Sequence, residues 1–184
     1  MDSHSLEAGV FDVYGFRFRL RATAPTWALE GLAADFYFFR SKTEVGTEAG
    51  SVAEVTLDVG DPPYDDIPAR TATIYTPRNI AFSEGSRTYI DYSCRALAIY
   101  DRVTTAFHIH SRDSDLLYEA TYLFLLSRIG EFLDSRRLHR IHAMAVGFHG
   151  RAVLAIFPMG GGKSTLAAEL LKIRSLIFFP TIRR

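Results

Sequence analysis

The segment Val153-Leu154-Ala155-Ile156-Phe157-Pro158-Met159-Gly160-Gly161-Gly162-Lys163-Ser164-Thr165-Leu166 carries residue types that hold a phosphate. Consecutive glycines permit backbone angles in which successive N–H groups converge on an anion. A helix starting near Lys163 adds the positive end of its dipole at the same point. The Lys163 ammonium can reach β- and γ-phosphates, and the Ser164 hydroxyl can ligate Mg²⁺. The chemistry indicated is binding of a nucleotide phosphate with Mg²⁺. Gly160, Gly161, Gly162, Lys163, Ser164 and Thr165 are the nucleotide-binding residues, and Ser164 is the metal ligand. One departure stands out: the first glycine of the usual G-x-x-x-x-G-K-[ST] pattern falls on Phe157. The competing reading is a glycine-rich turn without a ligand.

The elements around this loop are those a phosphate site needs. Two short apolar runs, 141–148 and 152–157, are split by His149-Gly150-Arg151. An amphipathic helix over 163–173 presents Leu166, Ala167, Leu170 and Leu171, and a last apolar run, 175–179, precedes Pro180. The order strand, glycine turn, helix, strand predicts a βαβ unit. Upstream, Leu116, Ala120, Leu123, Ile129 and Phe132 recur at helical spacing. They predict a helix over 116–138, about 34 Å long at 1.5 Å per residue. Asp113 or Ser114 caps its start, and Arg136, Arg137 and Arg140 crowd its end.

The first 112 residues show strand patterning. Val10–Leu20 alternates about a bulge or bend at Gly15. Further β-like runs are 36–39, 52–59, 71–75, 87–100 and 103–110, with a tight hairpin at Asp101-Arg102. The stretch from Val59 to Asp66, with Pro62-Pro63, is a loop. The expected fold class is α+β to α/β. An antiparallel, β-rich N-terminal region over 1–112 is followed over 113–184 by a long helix and an incomplete P-loop nucleotide-binding core.

Other clusters carry less. His108-Ile109-His110 puts two imidazoles on one strand face, the start of a metal site, but no third ligand is set by spacing. The pairs Asp65-Asp66 and Asp113/Asp115 suit turns and caps, and Arg136-Arg137 and Arg183-Arg184 suit solvated surface. Cys94 lies in a strand run without an activating cation, so it is expected to be an inert thiol.

Composition bounds the remainder. The 184 residues hold 21 basic and 21 acidic side chains and 48% hydrophobic residues. That balance supplies a core and argues against a nucleic-acid binder. A lone cysteine excludes a disulfide framework and fits a reducing compartment. The N-terminus has neither basic nor apolar leader character, and no run approaches the roughly 20 apolar residues of a membrane span. A cytoplasmic protein without membrane association is expected.

The stretch 138–146 followed by 150–171 resembles the nucleotide-binding core of the HPr kinase/phosphorylase-like family. A histidine-led strand, His142 to Val146, precedes a second strand and the Gly-x-Gly-Lys-Ser loop at 160–164. The likeness covers roughly residues 115–179. It implies a P-loop fold similar to that of ATP-dependent phosphoenolpyruvate carboxykinase and transfer of the ATP γ-phosphate to a protein serine or another hydroxyl. By the same resemblance His142 and Lys163 are the catalytic residues, with His142 close to the transferred phosphate, and association into homo-oligomers is common. Family members carry paired aspartates after the strand that follows the loop helix. Here that strand is Leu176-Ile177-Phe178-Phe179, and no acidic residue follows Glu169. The expectation is therefore a core truncated after the loop helix, whose own catalysis stays open. The alternative is a non-catalytic nucleotide-binding or protein-interaction module. An ABC-type NTPase fits less well, because the chain offers no Walker B acid after the loop.

Overall fold

A computed structural model describes residues 5–41, 52–69, 71–139, 141, 143–158, 160–173 and 177–178. The chain is mixed α+β and forms two compact units, Met1–Arg136 and Arg137–Arg184. The change of periodicity at 112/113 is real. The units nevertheless divide after the long helix, because that helix packs on the N-terminal sheet.

The first unit runs β1 (Leu6–Val13), β2 (Phe16–Ala22), α1 (Trp27–Asp35), β3 (Ala53–Val59), β4 (Ile74–Tyr75), β5 (Ile80–Glu84), β6 (Arg87–Asp91), β7 (Ala96–Asp101), β8 (Ala106–Ser111) and α2 (Ser114–Ser135). Its eight strands form one sheet in the order β1-β2-β3-β8-β7-β6-β5-β4. Strand β3 pairs in parallel with both β2 and β8, and every other pairing is antiparallel. The expectation of an antiparallel N-terminal region is corrected here to a mixed sheet. The reason is α1, which carries the chain back from β2 so that β3 enters in the same direction. Thr26 caps α1, its hydroxyl accepting from the Ala28 N–H at 3.3 Å.

Several expected strands also resolve differently. The run 10–20 is two strands joined at Tyr14-Gly15, and the register shift lies between Glu7 and Gly9. The run 36–39 is the C-cap of α1 followed by a 3-10 turn at Tyr37–Phe39. Within 71–75 only Ile74–Tyr75 pair, and Ile80–Glu84 is a strand the periodicity did not single out. The run 87–100 breaks into β6 and β7 around a turn that contains Cys94, so the cysteine is exposed in a turn rather than set in a strand. The expected 116–138 helix is α2, with Asp113 Oδ1 accepting from Asp115 N–H at 2.9 Å and Leu116 N–H at 3.2 Å.

Alternation on the strands places one face under the helices. Phe18, Leu20 and Ala22 of β2, Val55 and Leu57 of β3, and Phe107 and Ile109 of β8 are buried in the core with Leu32 of α1 and Leu117 and Leu125 of α2. Phe18 stacks on Phe11 with centroids 5.2 Å apart and meets Phe36 edge-on at 5.2 Å. Burial of each such side chain contributes about 1.5–3 kcal/mol. The opposite face is polar. Arg19 and Arg21 there reach Glu54 of β3 at 3.1 and 2.7 Å.

The second unit runs β9 (Met144–Phe148), β10 (Arg151–Ala155), α3 (Lys163–Leu170) and β11 (Ile177–Phe178), in the sheet order β10-β9-β11. Both β10 and β11 are antiparallel to β9 and so run parallel to each other. The expected strand–helix–strand order is thus present as a βαβ arrangement split by β9.

Candidate functional site

The glycine segment lies where β10 passes into α3. Strand β10 pairs with β9 from Arg151↔Phe148 to Ala155↔Met144, which fixes the direction in which the chain leaves the sheet. Gly160 has φ +74° and Gly162 φ +83°, the left-handed region that residues with a Cβ enter at a cost. Gly162 is the N-cap of α3, and having no side chain it leaves the first helical N–H groups without a side-chain acceptor. The first bond of the helical ladder runs from Leu166 N–H to Gly162 C=O at 2.9 Å. The N–H groups of Lys163, Ser164 and Thr165 precede it and have no carbonyl within the helix.

Gly161 serves a different purpose. Its N–H donates to Pro158 C=O at 3.0 Å, and a Cβ built there would meet that same oxygen at 3.0 Å. A side chain would push the turn open. Around Gly160 and Gly162, by contrast, a Cβ would meet nothing within 4 Å. The loop is therefore closed on one side by the Pro158 turn and open on the other.

Lys163 Nζ donates to Phe157 C=O at 3.0 Å and to Pro158 C=O at 3.3 Å. The ammonium is folded back over the loop that precedes it, held by uncharged acceptors. Ser164 and Thr165 are exposed in the first turn of α3. Every predicted loop residue from Gly160 to Thr165 is thus gathered on one short arc at a helix start. His142 lies outside the described residues, as do Arg183 and Arg184.

These residues fit a nucleotide phosphate with its magnesium ion. They supply amides without an acceptor inside the helix, an ammonium resting on two neutral carbonyls, two exposed hydroxyl residues and open space around Gly160 and Gly162. The apolar surroundings are notable for their exposure. Val153 is 63% exposed, Ile156 68% and Leu171 65%, whereas Met144 and Val146 of β9 are buried.

The other candidates resolve into structural roles. His108 and His110 do share a face of β8, and both approach Asp58 of β3, His108 Nδ1 at 3.3 Å and His110 Nε2 at 3.6 Å. Spacing could not supply Asp58, because the parallel pairing brings it alongside from a distant strand. Among the described residues no group of three or more His, Cys, Asp or Glu is arranged to hold a metal. Burial depresses the His110 pKa below its ordinary value, against the pull of the Asp58 carboxylate. Asp65 and Asp66 sit in a 3-10 turn, and Asp113 is spent on capping α2. Arg136 lies over the Phe132 ring at 4.4 Å.

No helix among the described residues is long and apolar enough to cross a membrane. No family model, curated protein or solved structure matches the chain.

Proposed function

We propose that the chain binds ATP with Mg²⁺ through the loop from Gly160 to Thr165, in the manner of the HPr kinase-like P-loop proteins its C-terminal part resembles. The observation that carries this reading is the left-handed Gly162 at the start of α3, which leaves the Lys163, Ser164 and Thr165 amides and the Lys163 ammonium around one open point. The three amides and the helix dipole would hold the phosphate chain. Lys163 would exchange its loop carbonyls for phosphate oxygens, a gain because a pairing of opposite full charges replaces contacts with neutral carbonyls. Ser164 Oγ would ligate the metal.

The nucleotide supplies a γ-phosphoryl group for transfer to a hydroxyl acceptor, a serine of a protein or peptide by the same resemblance. His142 is proposed near the transferred group on resemblance alone. The cytoplasmic setting of this activity rests on the lone cysteine and the need for ATP.

Calorimetric titration of the 184-residue chain with Mg·ATP, beside Lys163→Ala, tests the reading. Saturable binding that Lys163→Ala abolishes is expected. Unchanged affinity in the variant, or no binding by a folded sample, refutes it. Binding without phosphoryl transfer to any serine acceptor assigns the chain to the nucleotide-binding module class.

A further inference from the structure

The first unit holds a concavity unrelated to the glycine loop. Helix α2 packs on β3, β7 and β8. Between α2 and strands β6, β7 and β8 opens a trough of about 680 Å³. That volume lies within the usual range for small-molecule sites, about 300–1,000 Å³. Ile90 of β6 and Tyr100 of β7 form its floor, with Phe107 of β8 beneath, and Leu123 and Phe124 of α2 form its wall. Phe124 stacks on Phe107 with centroids 3.9 Å apart and meets Tyr100 edge-on at 5.0 Å, so the apolar surface is a locked aromatic cluster rather than loose side chains. Leu123 remains 52% exposed beside it.

Charge is distributed unevenly along the trough. At the end where α2 begins, Arg78 is paired with Glu119 at 2.5 Å and Arg95 with Asp113. Those charges are already answered. At the other end stand Arg102 and Arg128, and no carboxylate lines the trough beside them. Arg128 lies over the Tyr100 ring at 5.4 Å and is itself ion-paired with Glu131 at 2.5 Å, which leaves Arg102 as the cation without a carboxylate partner among the described residues. Arg102 donates from Nη2 to Gly85 C=O at 3.1 Å and from Nε to Ser86 C=O at 3.5 Å. The two carbonyls orient the guanidinium without neutralising it, and its Nη1 group stays free among the described residues.

We propose that this trough binds a small amphipathic anion, a carboxylate, sulfonate or phosphate ester on an apolar body of aromatic size. Its head is held by Arg102 with Arg128, and its body lies on Ile90, Tyr100 and Phe107 against Leu123. An oriented, uncompensated guanidinium beside an apolar aromatic floor favours such a ligand over a neutral or a cationic one. The site is independent of the proposed nucleotide loop.

The test uses the full chain and two fluorescent probes, 1-anilinonaphthalene-8-sulfonate and its uncharged twin N-phenyl-1-naphthylamine. Both are titrated against the native protein, Arg102→Gln, Leu123→Asp and Lys163→Ala. Both positions in the trough are exposed, and thermal melts confirm that the variants fold. Saturable sulfonate binding is expected, weakened about tenfold by Arg102→Gln, as loss of one charge-assisted contact predicts. The uncharged twin should be unaffected by that change. Leu123→Asp should weaken both probes, and Lys163→Ala should weaken neither. Equal sulfonate affinity in Arg102→Gln, or full binding in Leu123→Asp, overturns the proposal. So does failure of either probe to saturate. In that case, self-association of the chain that Leu123→Asp reverses assigns the face to a second copy instead.

Discussion

Replacing Gly162 with alanine isolates what the loop conformation contributes to binding. The residue has φ +83° and ψ +16° at the N-cap of α3, and an added Cβ would meet nothing within 4 Å. The substitution therefore creates no clash, and its whole effect is the cost of a left-handed backbone for an L-residue, about 1–2 kcal/mol. If the free loop of Gly162→Ala relaxes to negative φ while phosphate binding demands the conformation seen here, that cost moves from stability to binding and lowers Mg·ATP affinity about 5- to 30-fold. Gly150→Ala is the matched control. It also has positive φ, +74°, in open space, but it lies in the β9–β10 turn. Calorimetric titration of both variants, with thermal melts alongside, reads the contrast. Gly150→Ala should lose stability, whereas Gly162→Ala should lose Mg·ATP affinity with a smaller loss of stability. Native affinity together with native stability in Gly162→Ala would show that binding needs no left-handed residue there, and the argument from the left-handed cap would be wrong.

Two further outcomes follow from the first unit. Phe18→Ala removes a fully buried ring that stacks on Phe11 and abuts Phe36, and a loss of about 3–5 kcal/mol is expected by denaturant unfolding. A loss below about 1 kcal/mol would mean that this cluster is not the centre of the core. His110 supplies a pH dependence. Its folded pKa lies below its ordinary 6.5, so the unfolded chain binds more protons between the two values, and stability rises with pH through that window. Unfolding of His110→Gln between pH 5 and 7, roughly the interval where histidine titrates, should show a shallower slope than the native chain. An equal or steeper slope removes His110 as the cause.

The parts legible in the sequence were those made by neighbours along the chain. The stripe of α2 and its Asp113 cap are local patterns, and so is the Gly160–Thr165 arc, whose residues meet because they are adjacent. Helix α1 escaped notice for a physical reason. It is nine residues long, with Gly31 in its middle, and depends on packing rather than propensity. Gly31 is itself explained only in three dimensions: a Cβ there would stand 3.2 Å from both Trp27 and Tyr118. The parallel pairing of β3 with β2 and β8 was illegible because alternation tells which face a residue takes and not which strand lies beside it. The Arg102 trough draws on turns, three strands and α2, and no spacing rule joins such distant residues.

The edges of the large sheet bear on how the chain behaves in a crowded solution. An exposed edge strand offers a row of unpaired N–H and C=O groups on which another chain can form a strand. One edge here is β4, with only Ile74 and Tyr75 to offer. The other is β1, and the chain after the 3-10 turn folds back along it. Arg40 bridges Phe11 and Ser41 N–H donates to Val10 C=O at 2.8 Å. The register shift at Glu7 and Gly9 interrupts the remainder. Lateral growth of the sheet, the usual route from β-rich chain to fibril, is thus curtailed at one end by brevity and at the other by the protein's own returning backbone.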